Sequence, residues 1–117
     1  MRIVLAWTDA PASAGAAVTL VNNLNLRTVG PDHYFYQGNT TDSTGYSRLL
    51  AFAPPAADSR NNVDVINIKS ARWINSQNRT FTIRATPTTL NGQRVPGAGG
   101  GANNQDFALF VVNGTLQ

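Results

Sequence analysis

The sequence predicts an all-β fold, an antiparallel jelly-roll-like β-sandwich of about eight short strands. Three observations carry that expectation. All six acidic residues are Asp, and Lys69 is the single lysine among nine basic residues. With Asn, Thr, Gly and Val abundant, this composition disfavours helices and suits strands and turns. Apolar residues recur with period 2, and no window of a dozen residues holds a 3.6 period free of Gly, Pro or Asn.

The first strand is read near 2–7, with Ile3, Leu5 and Trp7 facing one way. A second is read near 16–21 and a third near 24–29, where Leu24 and Leu26 oppose Asn23, Asn25 and Arg27. Gly30-Pro31-Asp32 is a turn, because Pro fixes φ and Asp bonds its own backbone. The strand near 33–37 follows, with Tyr34 and Tyr36 on one face by alternation. Strands near 62–68 and 79–86 come next, with a weaker one near 71–74. In the 79–86 strand Phe81, Ile83 and Ala85 oppose Thr80, Thr82 and Arg84. Asn91-Gly92 is a type I′ hairpin candidate. The last strand, near 106–112, alternates Phe107, Leu109 and Val111 with Ala108, Phe110 and Val112, so it reads as buried on both sides. Two long loops remain, 38–61 and 87–105, and loops beyond about 15 residues are functional or mobile.

A chain of 117 residues suffices for one packed domain, and residues 1–117 are read as one. The absence of cysteine excludes disulfides, thiolate zinc sites and cysteine nucleophiles. No apolar run reaches the roughly 18 residues of a membrane helix. Arg2 precedes only a short apolar run that meets Trp7 and Asp9, so no signal peptide is read here. The pI is near 10, but the formal charge is only +3. The basic residues are scattered singly, without the stripe that phosphate backbones require, so no nucleic-acid partner is expected.

Catalysis finds little support. The one histidine, His33, lies in a turn, and no serine has a Gly-x-Ser-x-Gly elbow. Dispersed Asp residues offer no carboxylate pair.

Five blocks in order carry a resemblance. Val4-Leu5-Ala6-Trp7-Thr8-Asp9-Ala10-Pro11 leads to Leu20-Val21-Asn22-Asn23-Leu24-Asn25-Leu26. Tyr36-Gln37-Gly38-Asn39, Arg60-Asn61-Asn62-Val63-Asp64-Val65-Ile66-Asn67-Ile68, Thr80-Phe81-Thr82-Ile83-Arg84-Ala85 and Gln105-Asp106-Phe107-Ala108-Leu109-Phe110-Val111-Val112 follow. The chain resembles the C-terminal jelly-roll domain of secreted subtilisin-like serine peptidases. That family has paired acids where Asn23 and Asn25 stand, and a strand upstream of the Trp-containing one. This chain starts at or just inside the latter. The resemblance implies a secreted, non-catalytic accessory domain that packs on the catalytic domain of its parent chain, stabilises it and helps hold protein substrates. Such a domain is expected to expose one apolar face, with Phe110 and Val112, or Tyr34 and Tyr36, as candidates.

The resemblance also implies calcium, which takes oxygen ligands from carboxylates, amides and carbonyls. Asp9 with Asn23 and Asn25, and Asn39 with Asp42, are the candidate ligands. The competing reading is that Asx residues such as Asp9 and Asn22 cap turns by accepting backbone N–H groups. A free-standing carbohydrate- or protein-binding module is the alternative function. Tyr34, Tyr36 and Tyr46 would supply its aromatic strip, although core packing also explains them.

Overall fold

The computed structural model of the protein describes residues 1–17, 20–31, 33–50, 55–70, 80–92 and 105–114. Six strands form there: β1 (Arg2–Trp7), β2 (Asn22–Val29), β3 (Phe35–Gln37), β4 (Val63–Asn67), β5 (Thr82–Leu90) and β6 (Phe107–Val112). They make two antiparallel three-stranded sheets, β4-β1-β6 and β3-β2-β5. The sheets face each other as a small β-sandwich. The expected strand near 71–74 and the glycine-rich part of the 87–105 loop lie outside the described residues.

Alternation fills the space between the sheets. Ile3, Leu5 and Trp7 of β1 meet Leu24 and Leu26 of β2, with Tyr36 and Ile66, and Ile68 just beyond β4. Ile83 and Ala85 of β5 and Leu109 and Val111 of β6 pack at the margin of this cluster. Each fully buried aliphatic side chain contributes about 1.5–3 kcal/mol.

Three expectations are corrected. No strand forms over the described part of 16–21, because the Asp9 carboxylate takes the Val21 N–H at 2.7 Å and the Asn22 N–H at 2.7 Å. The chain there is bent onto Asp9, and β2 starts at Asn22. Next, β5 runs to Leu90, through Pro87. β5 ends its sheet, and the register steps from Asn23↔Thr89 to Leu24↔Pro87. Thr88 is therefore the extra residue of a bulge, the kind of edge position where a strand tolerates proline. Finally, β6 is not buried on both sides. Among the described residues it pairs only with β1, and no layer covers the outer face of its sheet, which leaves Phe110 64% exposed.

The first half of the 38–61 loop folds back on the sheets. Asn39 N–H donates to Val65 O, Ser47 N–H to Asn67 O, and Val65 N–H to Asn39 Oδ1. The open edge of β4 is thus hydrogen-bonded by a loop rather than by a strand. Gly38 opens this loop, and its N–H donates to Leu26 O at 2.9 Å.

A side chain at position 38 has no room, since a Cβ there would lie 2.5 Å from Asp64 Cγ. Gly38→Ala should cost about 3 kcal/mol in urea unfolding. The double variant with Asp64→Ala should lose at least 1 kcal/mol less than the sum of the two single losses. Additive losses would show that Gly38 matters for some other reason.

Candidate functional site

Two polar nodes hold the sandwich together, and both use the backbone of β2. At the first, Asn22 is fully buried. Its carbonyl accepts the Trp7 indole N–H at 2.9 Å, a link from one sheet to the other. Its amide nitrogen donates to Gly92 O and Gln105 Oε1, both at 2.9 Å. Its amide oxygen accepts the N–H groups of Asn91 and Gly92. Asp9 completes the node by accepting three backbone N–H groups, from Ala10, Val21 and Asn22. Asn91-Gly92 is thereby tied to Asn22 at the end of β5.

At the second node Asp64, 2% exposed, points from β4 toward the other sheet. Its Oδ2 accepts the Leu26 N–H at 2.8 Å, and its Oδ1 accepts Asn39 Nδ2 at 2.9 Å. The same Asn39 nitrogen lies 2.7 Å from Asp58 Oδ2 and 2.8 Å from Val63 O. Asn39 holds this position at φ 56°, a left-handed conformation that Asn tolerates. Burial pushes the Asp64 carboxyl up to about 6, and the Asp58 charge adds to the rise against the Leu26 N–H. Burial also acts upward on Asp58, but its donors from Asn61, Arg60 and Asn39 outweigh that and hold it below the usual value.

The candidate calcium ligands do not come together as one charged set. Asp9 is committed to its three N–H groups, and Asn39 to both Asp58 and Asp64. Asp42 Oδ1 accepts from Thr44 N–H, the Thr44 hydroxyl and Tyr46 N–H, which holds its carboxyl below the usual value. Lys69 Nζ lies 3.7 Å from Asp42 Oδ2. Asn23 and Asn25, at 7% and 8% exposure, each keep an Oδ1 without a hydrogen-bond partner among the described residues, while Asn25 Nδ2 donates to the Thr88 hydroxyl. Calcium sites use six to eight oxygens and draw affinity from carboxylates. Among the described residues no group of three acids or histidines converges. Among the described residues, the buried candidate oxygens without a hydrogen-bond partner are the Asn23 and Asn25 amides, which bring no charge and so fit calcium poorly.

The aromatic residues also separate. Tyr36 is a core residue at 2% exposure, whereas Tyr34 is 40% exposed. Tyr46 lies under Lys69, whose Nζ stands 5.0 Å from the ring centroid.

The outer face of the β4-β1-β6 sheet is different. Its register sets Val65, Val4 and Phe110 in one row and Val63, Ala6 and Ala108 in the next, with Val112 beside Arg2. Apart from Arg2 and its neighbour Asn67 at one end, this face is apolar, and Phe110, Val63 and Val112 are well exposed. Alternation points to Phe110 and Val112. Sequence reasoning reached the first node in part, as Asx capping of backbone N–H groups by Asp9 and Asn22, and missed the second, although Asp64 carries a signal: it shares the inward parity of Ile66 and Ile68.

No family model matches the chain. It is 37% identical over 67 residues to the serine protease/ABC transporter B family protein tagD of Dictyostelium discoideum. The match covers 56% of this chain and 4% of that protein. This chain is thus similar, over part of its length, to a small portion of a much longer serine protease-containing protein.

Two predictions follow from the nodes. The folded Asp64 binds its proton more tightly than an unfolded carboxyl of 3.8. Its effect on stability is therefore unfavourable above about pH 6 and is relieved as pH falls toward 4, by at most about 3 kcal/mol. Asp58 and Asp42, both held low, lose stability at the acid end, so the melting temperature should peak between about pH 4 and 6. Asp64→Asn should remove the rise between pH 7 and 5, and an unchanged profile would locate the titration elsewhere. Because Asp9 already accepts three backbone N–H groups, EDTA should shift the melting temperature by less than about 1 °C. A calcium-dependent rise of several degrees would place an ion at Asn23 and Asn25.

Proposed function

We propose that this β-sandwich is a non-catalytic accessory unit of a longer, secreted subtilisin-like serine peptidase, packed on the catalytic unit of the same polypeptide. The observation that carries the proposal is the apolar outer face of the β4-β1-β6 sheet, centred on Val4, Val65 and Phe110. Small soluble proteins rarely leave such a face open, and its natural cover is another folded unit. The similarity to part of a serine protease-containing protein supports a peptidase as that unit.

The physical role is kinetic. An extracellular peptidase is lost mainly by unfolding and self-digestion, so its useful lifetime is set by an unfolding rate. A rigid sandwich docked over an apolar patch slows that rate. The polar nodes keep its own sheets from sliding, so the docking face keeps its shape. Help in holding protein substrate would fall to the loops beside this face.

The test begins with the gene. An in-frame region encoding the peptidase's Asp, His and Ser is expected beside this segment, and its absence overturns the proposal. In the full-length enzyme, Val65→Glu with Phe110→Glu should shorten the half-life of activity at elevated temperature by about tenfold. The turnover rate on a short peptide should stay within about twofold. An unchanged half-life would remove the stabilising role.

A further inference from the structure

Strand edges in this protein are managed at three places. Asn39 and Ser47 bond the edge of β4, and Leu50 exchanges both backbone hydrogen bonds with Phe35 at the edge of β3. The edge strand β5 carries Pro87, the bulge at Thr88 and the charge of Arg84. These are the usual devices against unwanted pairing. Among the described residues β6 has none of them. Its six residues, Phe-Ala-Leu-Phe-Val-Val, are uncharged, free of proline and in unbroken register with β1.

We propose that the edge of β6 pairs antiparallel with β6 of a second copy of this chain, about a two-fold axis at Phe110. The two three-stranded sheets then become one sheet of six strands. The strand is complementary to itself in that register. Phe110 meets its own copy, and Ala108 meets the second copy's Val112, so a large residue faces a small one. Aromatic pairs directly across strands are among the favourable ones. Charge agrees as well. Asp106 precedes one end of β6, and Arg2 flanks Val112 at the other end. A two-fold axis brings Asp106 of one copy to the end of the other copy's β6 where Arg2 stands one strand further in, on the same face. The pairing covers the most exposed aromatic of the described residues and leaves Val63, Val65, Val4 and Ala6 open, so it is compatible with docking to a peptidase unit but does not rest on it.

Light scattering on this chain, from about 1 to 500 µM, should show a monomer passing to a dimer with a micromolar dissociation constant. Phe110→Arg, which opposes like charges across the axis, should raise that constant at least tenfold. Register is tested by cross-linking, since the chain has no cysteine of its own. Phe110→Cys should give a disulfide-linked dimer under mild oxidation. Ala108→Cys should not, because its two copies lie about 13 Å apart along the strands. Both positions are exposed, so the variants should keep the native circular dichroism. A monomer throughout the concentration range, or equal cross-linking at 108 and 110, would overturn the proposal.

Discussion

The fold depends on how the backbone of β2 is used. As the middle strand of its sheet, β2 satisfies most of its backbone through β3 and β5. At two points, however, it turns hydrogen-bonding groups toward the opposite sheet. The Asn22 carbonyl takes the Trp7 indole, and the Leu26 N–H goes to Asp64. Hydrophobic contact between two sheets is non-directional and tolerates small slides. A buried polar group does not, because leaving it unpaired costs its full desolvation. These two links fix the relative position of the sheets along the strand direction and about the axis between them.

Once those links are set, much of the loop structure follows. Asp64 can lie against Leu26 only if residue 38 has no Cβ, so the chain leaving β3 must be Gly at that point. Asn39 then sits between Asp58 and Asp64, and its left-handed turn carries the following residues along the edge of β4. At the other node, Asp9 draws Val21 and Asn22 into place and sets where β2 begins. Asn22 in turn holds Asn91, Gly92 and Gln105, and so fixes both the exit of β5 and the approach to β6.

What the sequence disclosed follows from the range of each interaction. Period-2 alternation is local, and it correctly assigned the inward faces of β1, β5 and the first half of β2. Edges are not local. Nothing within Phe107–Val112 says that β6 is an edge strand whose outer face meets no other layer among the described residues, so a strand apolar on both faces reads as buried on both. The bend at 16–21 has the same cause, since the carboxylate that prevents a strand there stands twelve residues upstream of Val21. The Gly38-Asn39 pair was visible as a motif, but its reason was not, because Asp64 is 26 residues away. Tyr34 and Tyr36 show a subtler limit. Alternation relates two residues only while both belong to a strand, and β3 begins at Phe35.

The division between the two sheets bears on function. The β3-β2-β5 sheet has mainly Asn, Thr and Arg on its outer side, with Asn23 and Asn25 buried, Arg27 and Arg84 in solvent, and Val29 beside Phe35 at one end. The β4-β1-β6 sheet has valine, alanine and phenylalanine there, with Arg2 and Asn67 at one end. Since both sheets share one core, core packing cannot account for that difference. An outer face contributes little to folding a lone sandwich, and apolar residues on it carry the hazard of aggregation. Their concentration on one sheet, beside an edge strand without charge or proline, is what a surface shaped for contact would show. The polar nodes fit the same picture. They stiffen the sandwich from within, so that a face built of small and β-branched side chains on a rigid sheet can meet a partner with little loss of conformational entropy.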